Sequence, residues 1–130
     1  MRSELPSYIK KFGARRIVMD SVSLLTMMFP NEAERRTHLF DLCQLMRNSG
    51  ATTLLTAESK DDNPRSSKDG LVEYVSDGVI SLQFKQPKES SDVQLVIQVI
   101  KMRRSAHSRR MKPYTITGDG IVIHTEAEVF

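Results

Sequence analysis

The chain has 130 residues, 39% of them hydrophobic and 27% charged, a composition that suits a globular protein and excludes a disordered one. A single cysteine, Cys43, excludes an internal disulfide and fits a reducing, cytoplasmic setting. No apolar run approaches the roughly 20 residues that span a bilayer, and Met1-Arg2-Ser3-Glu4-Leu5-Pro6 lacks the apolar stretch of a secretory leader, so neither membrane nor secretion is expected.

In chain order, Ser7 to Phe12 reads as the end of a helix, with Tyr8, Ile9 and Phe12 at helical spacing and Gly13 as its stop. Arg16 to Asp20 is a strand apolar enough to be covered on both faces, as in a parallel sheet. Ser21 to Phe29 is a short irregular or helical piece, broken at Pro30-Asn31. A helix follows over Asn31 to Asn48. Asn31 with Glu34 resembles a capping box, and Leu39, Leu42, Cys43 and Met46 form one apolar stripe. Gly50 suits a left-handed cap, and Ala51 to Thr56 is a second β-branched strand. Strand, helix, strand is a βαβ unit, which implies parallel pairing.

The second half changes character. Glu58 to Asp69 is polar throughout and reads as a mobile surface loop. Leu71 to Val75 is a turn of helix or an extended link. Val79 to Phe84 and Val93 to Ile100 form an antiparallel pair across the polar turn Pro87 to Asp92. Tyr114 to Thr117 and Ile121 to His124 flank Gly118-Asp119-Gly120, a hairpin signal. Thr125 to Phe130 is expected to fray. No repeat or boundary is visible, so 1–130 reads as one domain.

Two stretches carry chemistry. Ile17-Val18-Met19 ends in Asp20 and Ser21, the layout of a Walker B strand, whose acid holds Mg²⁺ or its water beside nucleotide phosphates. Ordinary core strands also end this way. Lys101 to Lys112 contains Lys101, Arg103, Arg104, Arg109, Arg110 and Lys112 with His107 and no acid, a cluster suited to phosphates or to simple solvation. No His or Cys cluster has zinc-ligand spacing.

Together, Arg16-Ile17-Val18-Met19-Asp20-Ser21, Gly50 to Glu58, Val72 to Ile80, Lys101 to His107, Pro113 to Thr117 and Gly120-Ile121 resemble the second half of a KaiC-like ATPase of the RecA superfamily, over about residues 5–124. The resemblance implies an α/β, partial RecA-like fold: a parallel βαβ core followed by an antiparallel β-hairpin extension. It also implies ATP and Mg²⁺ bound between subunits of a ring, so a homo-oligomer or a full-length paralogue is the expected partner. Asp20, with Ser21, would hold Mg²⁺ through water. Lys101 and Arg103 would reach a neighbour's phosphates in trans, Ser105 and His107 would lie near that nucleotide, Thr56 and Glu58 would sit where relatives sense the γ-phosphate, and Asp119 would approach the base.

The chain departs from this family in two places. No stretch matches G-x-x-x-x-G-K-[ST], and the six glycines stand apart at 13, 50, 70, 78, 118 and 120. Arg104 occupies a position where the family usually has a small residue. The chain therefore reads as the C-terminal portion of an ATPase domain with a regulatory or signalling role. The alternatives are an inactive remnant lending its basic finger to a full-length paralogue, and a recombinase-like DNA-binding paralogue. Nucleic acid is the less favoured partner, because the charges of the Glu58 to Gly70 loop nearly cancel and it has no aromatic for stacking.

Overall fold

The computed structural model describes residues 4–60, 63–68, 70–86 and 91–129. They fall into two compact units, Met1–Lys60 with Ser66–Ser76, and Asp61–Arg65 with Asp77–Phe130. The expected turn from Pro87 to Asp92 lies largely outside the described residues.

The first unit holds α1 (Leu5–Phe12), β1 (Arg16–Met19), α2 (Val22–Met27), α3 (Glu32–Asn48), β2 (Thr52–Leu55) and α4 (Val72–Val75). Helix α1 ends because Gly13 takes φ 57°, a left-handed conformation that a side chain would strain. Helix α3 begins where the Asn31 side chain accepts from the Ala33 amide at 2.8 Å, satisfying one of the unpaired donors of its first turn. The four residues of its stripe, Leu39, Leu42, Cys43 and Met46, are all buried. Val22, Leu39, Cys43 and Leu71 form the core, with Met19, Leu55, Val72 and Val75 packed against it. Arg47 Nη2 also donates to the Val75 carbonyl at 2.5 Å, tying α3 to α4.

Strands β1 and β2 are parallel, pairing Arg16 with Thr52 through to Met19 with Leu55. The expectation that β1 is covered on both faces is corrected. Met19 and Leu55 face the core, whereas Val18 and Leu54, paired on the opposite face, are 68% and 59% exposed. Among the described residues of this unit, helices pack on one side of the pair only.

The Glu58 to Asp69 stretch is more ordered than its composition predicts, with Asp61, Asp62 and Asp69 outside the described residues. Ser59 bridges Ser67 antiparallel, and Lys60 and Lys68 amides donate to Ser66 and Glu58 carbonyls at 2.8 and 2.9 Å. Ser67 is buried and gives both its amide and its hydroxyl to Glu73.

The second unit is a four-stranded antiparallel sheet in the order β3 (Gly78–Lys85), β4 (Gln94–Met102), β5 (Lys112–Thr117), β6 (Gly120–Ile123). A register shift lies between Val79 and Ile80. The hairpin turn is Gly118-Asp119, with Thr117 paired to Gly120. After β6 the chain is held as far as Ala127 rather than frayed: the Ala127 amide donates to the His124 carbonyl at 3.2 Å, and Lys112 Nζ donates to the Ala127 carbonyl at 3.1 Å.

The β3–β4 pair buries polar side chains and exposes apolar ones. Ser81, Gln83 and Gln98 are buried, while Ile80, Leu82 and Phe84 are half or more exposed. The polar face is hydrogen-bonded in part, with Gln98 Oε1 left without a partner among the described residues. Ser81 Oγ donates to the Pro64 carbonyl at 2.8 Å, Gln83 Nε2 to Ser81 Oγ at 3.0 Å, and Gln98 Nε2 to the Arg109 carbonyl at 2.7 Å.

Candidate functional site

Parallel pairing brings the carboxyl ends of β1 and β2 side by side, where an open α/β sheet presents polar groups to a ligand. Beyond the last strand pair the two chains stay laced. The Thr56 amide donates to the Met19 carbonyl at 3.0 Å, and the Val22 amide donates to the Thr56 carbonyl at 2.8 Å. This lacing delivers the Thr56 hydroxyl to Asp20, where it donates to Oδ1. The peptide between Asp20 and Ser21 is cis. Glu58 follows, its amide donating to Ser23 Oγ at 3.0 Å. Its carboxylate is engaged by Lys68 Nζ at 2.6 Å, an exposed pair of small energetic weight.

Asp20 is exposed and keeps one carboxylate oxygen beyond the one Thr56 occupies. A carboxylate is a hard oxygen donor of the kind Mg²⁺ prefers, and Mg²⁺ commonly takes only one or two protein carboxylates beside waters and phosphates. No group of three or more His, Cys, Asp or Glu able to hold a metal occurs among the described residues, so such an ion would depend on Asp20 with water and phosphate. A cavity of about 840 Å³ in this unit lies between α1 and α3, lined by Ile9, Lys10, Arg15, Asp41 and Leu45 among others. Asp20, Ser21, Thr56 and Glu58 do not line it.

The second set of expected residues belongs to the second unit. Lys101 is on β4, and Arg103 begins the turn that follows. The Arg103 amide donates to the Asp77 carbonyl at 2.8 Å, and its guanidinium lies 3.6 Å from the Asp77 carboxylate. Arg104 has φ 60°. Ser105 Oγ donates to the Ala106 carbonyl at 3.3 Å, and His107 Nδ1 lies 3.0 Å from the Ser108 carbonyl. Asp119 is in the β5–β6 turn, its amide donating to Thr117 Oγ1 at 3.2 Å.

The nine expected residues thus divide between the units: Asp20, Ser21, Thr56 and Glu58 in the first, Lys101, Arg103, Ser105, His107 and Asp119 in the second. Hydrogen bonding joins Asp20 to Thr56 directly. Sequence reasoning missed Ser23 and Asp77. Ser23 is buried and fixes the Glu58 amide, and Asp77 anchors Arg103. A hydroxyl two residues beyond the strand-end Ser21, and an acid just before the β3 glycine, were the available signals.

Comparison with known proteins identifies the family and the fold. The family described as "ATPase: KaiC" matches residues 1–128. The chain is 31% identical over 115 residues to the circadian clock oscillator protein KaiC of Parathermosynechococcus lividus, covering 88% of this chain and 21% of that protein. It is 36% identical over 115 residues to the circadian clock protein KaiC2 of a Synechocystis species, covering 88% of this chain and 20% of that one. A crystal structure of a KaiC-like protein from the hyperthermophilic archaeon Pyrococcus horikoshii superposes with a TM-score of 0.80 at 27% identity, over 95% of this chain and 52% of that one. The chain therefore spans about a fifth of the length of these curated relatives and about half of the solved structure. With the family matched over residues 1–128 and the mixed α/β fold shared, this chain belongs to the KaiC-like ATPases of the RecA superfamily.

Proposed function

We propose that residues 1–130 form the C-terminal portion of a KaiC-like ATPase domain that acts at the subunit interfaces of a ring, in a regulatory or signalling role. The observation that carries this reading is the Thr56 hydroxyl bonded to Asp20 across the ends of two parallel strands. A donor clamped on one oxygen orients the carboxylate and leaves the other oxygen for Mg²⁺ or its water. Mg²⁺ with ATP, when bound, supplies the phosphoryl group and neutralises part of its charge. This chain's own contributions are then distinct. Asp20 and Ser21 would hold the metal through water, Thr56 and Glu58 would stand where a γ-phosphate is sensed, Ser105 and His107 would lie near a neighbour's nucleotide, and Asp119 would approach a base. Lys101 and Arg103 deliver positive charge to a nucleotide held by an adjacent subunit, stabilising negative charge that spreads over the transferring group. Asp77 holds Arg103 in place until that charge is offered.

The 130 residues contain no P-loop, so the backbone cradle for the phosphates comes from another segment or subunit. The exposure of Val18 and Leu54 on the open face of the β1–β2 pair favours a second reading: the chain binds a full-length paralogue and lends it the basic finger without turning over ATP itself. Gel filtration with an ATPase assay separates the two. Turnover by the chain alone supports the first, and no turnover alone with altered turnover on mixing supports the second. A full-length relative whose turnover is unchanged by the chain, and a chain inactive by itself, defeat both.

A further inference from the structure

The turn after β4 carries more positive charge than the proposed finger uses. From Lys101 to Lys112 there are six Lys and Arg residues and no acid. Several cations of the chain are matched: Arg36 to Glu32 at 2.8 Å, Lys68 to Glu58 at 2.6 Å, Arg103 to Asp77 at 3.6 Å. Lys112 Nζ has the Ala127 carbonyl at 3.1 Å. The guanidinium groups of Arg104, Arg109 and Arg110 are exposed and have no hydrogen-bond or ion-pair partner among the described residues. Yet the turn that bears them is fixed at several points. The Arg103 amide is held by the Asp77 carbonyl, the Arg109 carbonyl by Gln98 Nε2 at 2.7 Å, and the Arg110 amide by Ser108 Oγ at 3.2 Å.

Arg104 is the one non-glycine residue with positive φ among the described residues, at 60°. A glycine would adopt this conformation without strain, so the position holds a cation at a conformational cost. Strained residues persist where the surrounding structure fixes them, and they concentrate at ligand contacts. A planar guanidinium, always charged and able to donate twice to one anion, matches phosphate oxygens better than any other side chain.

We infer that Arg104 is a further phosphate-binding residue of this chain, gripping the triphosphate of a nucleotide together with Arg109 or Arg110 of the same β4–β5 connection. This rests on the reading of Lys101 and Arg103 as a trans finger, to which it adds a contact. Arg103 is partly neutralised by Asp77, whereas Arg104 offers its full charge.

The probe is inorganic tripolyphosphate, titrated calorimetrically into the full chain over a series of salt concentrations. Arg104→Gly is expected to weaken binding about tenfold and to reduce the slope of log affinity against log salt by about one. Arg104→Lys should keep the slope and most of the affinity. Arg104→Gly should also melt at a higher temperature than the parent, which separates loss of the contact from loss of the fold. Parental affinity and slope in Arg104→Gly overturn the inference. An oligothymidylate that binds more tightly than tripolyphosphate, phosphate for phosphate, overturns the nucleotide in favour of nucleic acid. The underlying reading fails separately: it falls if Lys101→Ala with Arg103→Ala leaves a full-length relative's turnover response unchanged, whatever tripolyphosphate does.

Discussion

The two units solve burial in opposite ways. In the first, α3 lays an apolar stripe over Met19 and Leu55, and the core is built from Val22, Leu39, Cys43 and Leu71. In the second, the β3–β4 pair covers Ser81, Gln83 and Gln98 and leaves Ile80, Leu82 and Phe84 open. The first is held mainly by removal of apolar surface from water, worth roughly 1.5–3 kcal/mol for each large aliphatic side chain fully buried. The buried face of the second depends on hydrogen bonds, since a buried polar group left unpaired, as Gln98 Oε1 is among the described residues, costs about 1–3 kcal/mol. Strand sequence alone says which residues alternate; which face the chain covers depends on what it can fold over them.

The largest expected effect tests the first unit. Leu39 is 1% exposed, so Leu39→Ala removes core volume that neighbours cannot refill and should destabilise by about 2–5 kcal/mol in urea denaturation. A loss under about 1 kcal/mol would mean that this stripe is not the core. Next, Ser81→Ala strips the Pro64 carbonyl and the Gln83 amide of their partner and should cost about 1–3 kcal/mol. If it proves neutral or stabilising, the polar face is not closed to water and the contrast between the units collapses. The smallest effect belongs to Leu82→Lys on the open face of β3. Leu82 is 50% exposed, so stability should move by no more than about 0.5 kcal/mol while solubility rises. A cooperative loss of fold on this substitution would show that the face is covered in solution.

Much of the framework was legible because local chemistry agreed with the final fold. The stripe from Leu39 to Met46 has one helical period, Asn31 has a side chain suited to capping, and Gly118-Asp119 permits a tight reversal. Pattern was insufficient where the outcome depended on the other side of an element. Val18 and Leu54 look like core residues, yet nothing described in their unit folds over them. Ser81 and Gln83 look like solvent-facing residues, yet Pro64, seventeen positions before Ser81, supplies the carbonyl that lets them be buried. The His38 ring stacks on Phe29 with centroids 3.9 Å apart, a contact that sequence spacing does not announce. At the candidate site, Asp20 and Thr56 were visible as strand ends, and their hydrogen bond follows from parallel register. The tie between Arg103 and Asp77 was not visible, because it joins the end of β4 to the residue before β3 across an antiparallel pair whose register shifts at Val79.

Thr56 sets two timescales for local opening. Its amide, carbonyl and hydroxyl are all committed, to Met19, Val22 and Asp20 in turn, although its side chain is exposed. Releasing Asp20 from this tie therefore leaves two backbone bonds still joining the strand ends, so the carboxylate can be freed without parting β1 from β2. Hydrogen exchange at the Thr56 and Val22 amides is then set by separation of the strands, a slower event than the rotation of one hydroxyl. The site can change partners on the timescale of a side chain while its scaffold keeps the timescale of the sheet.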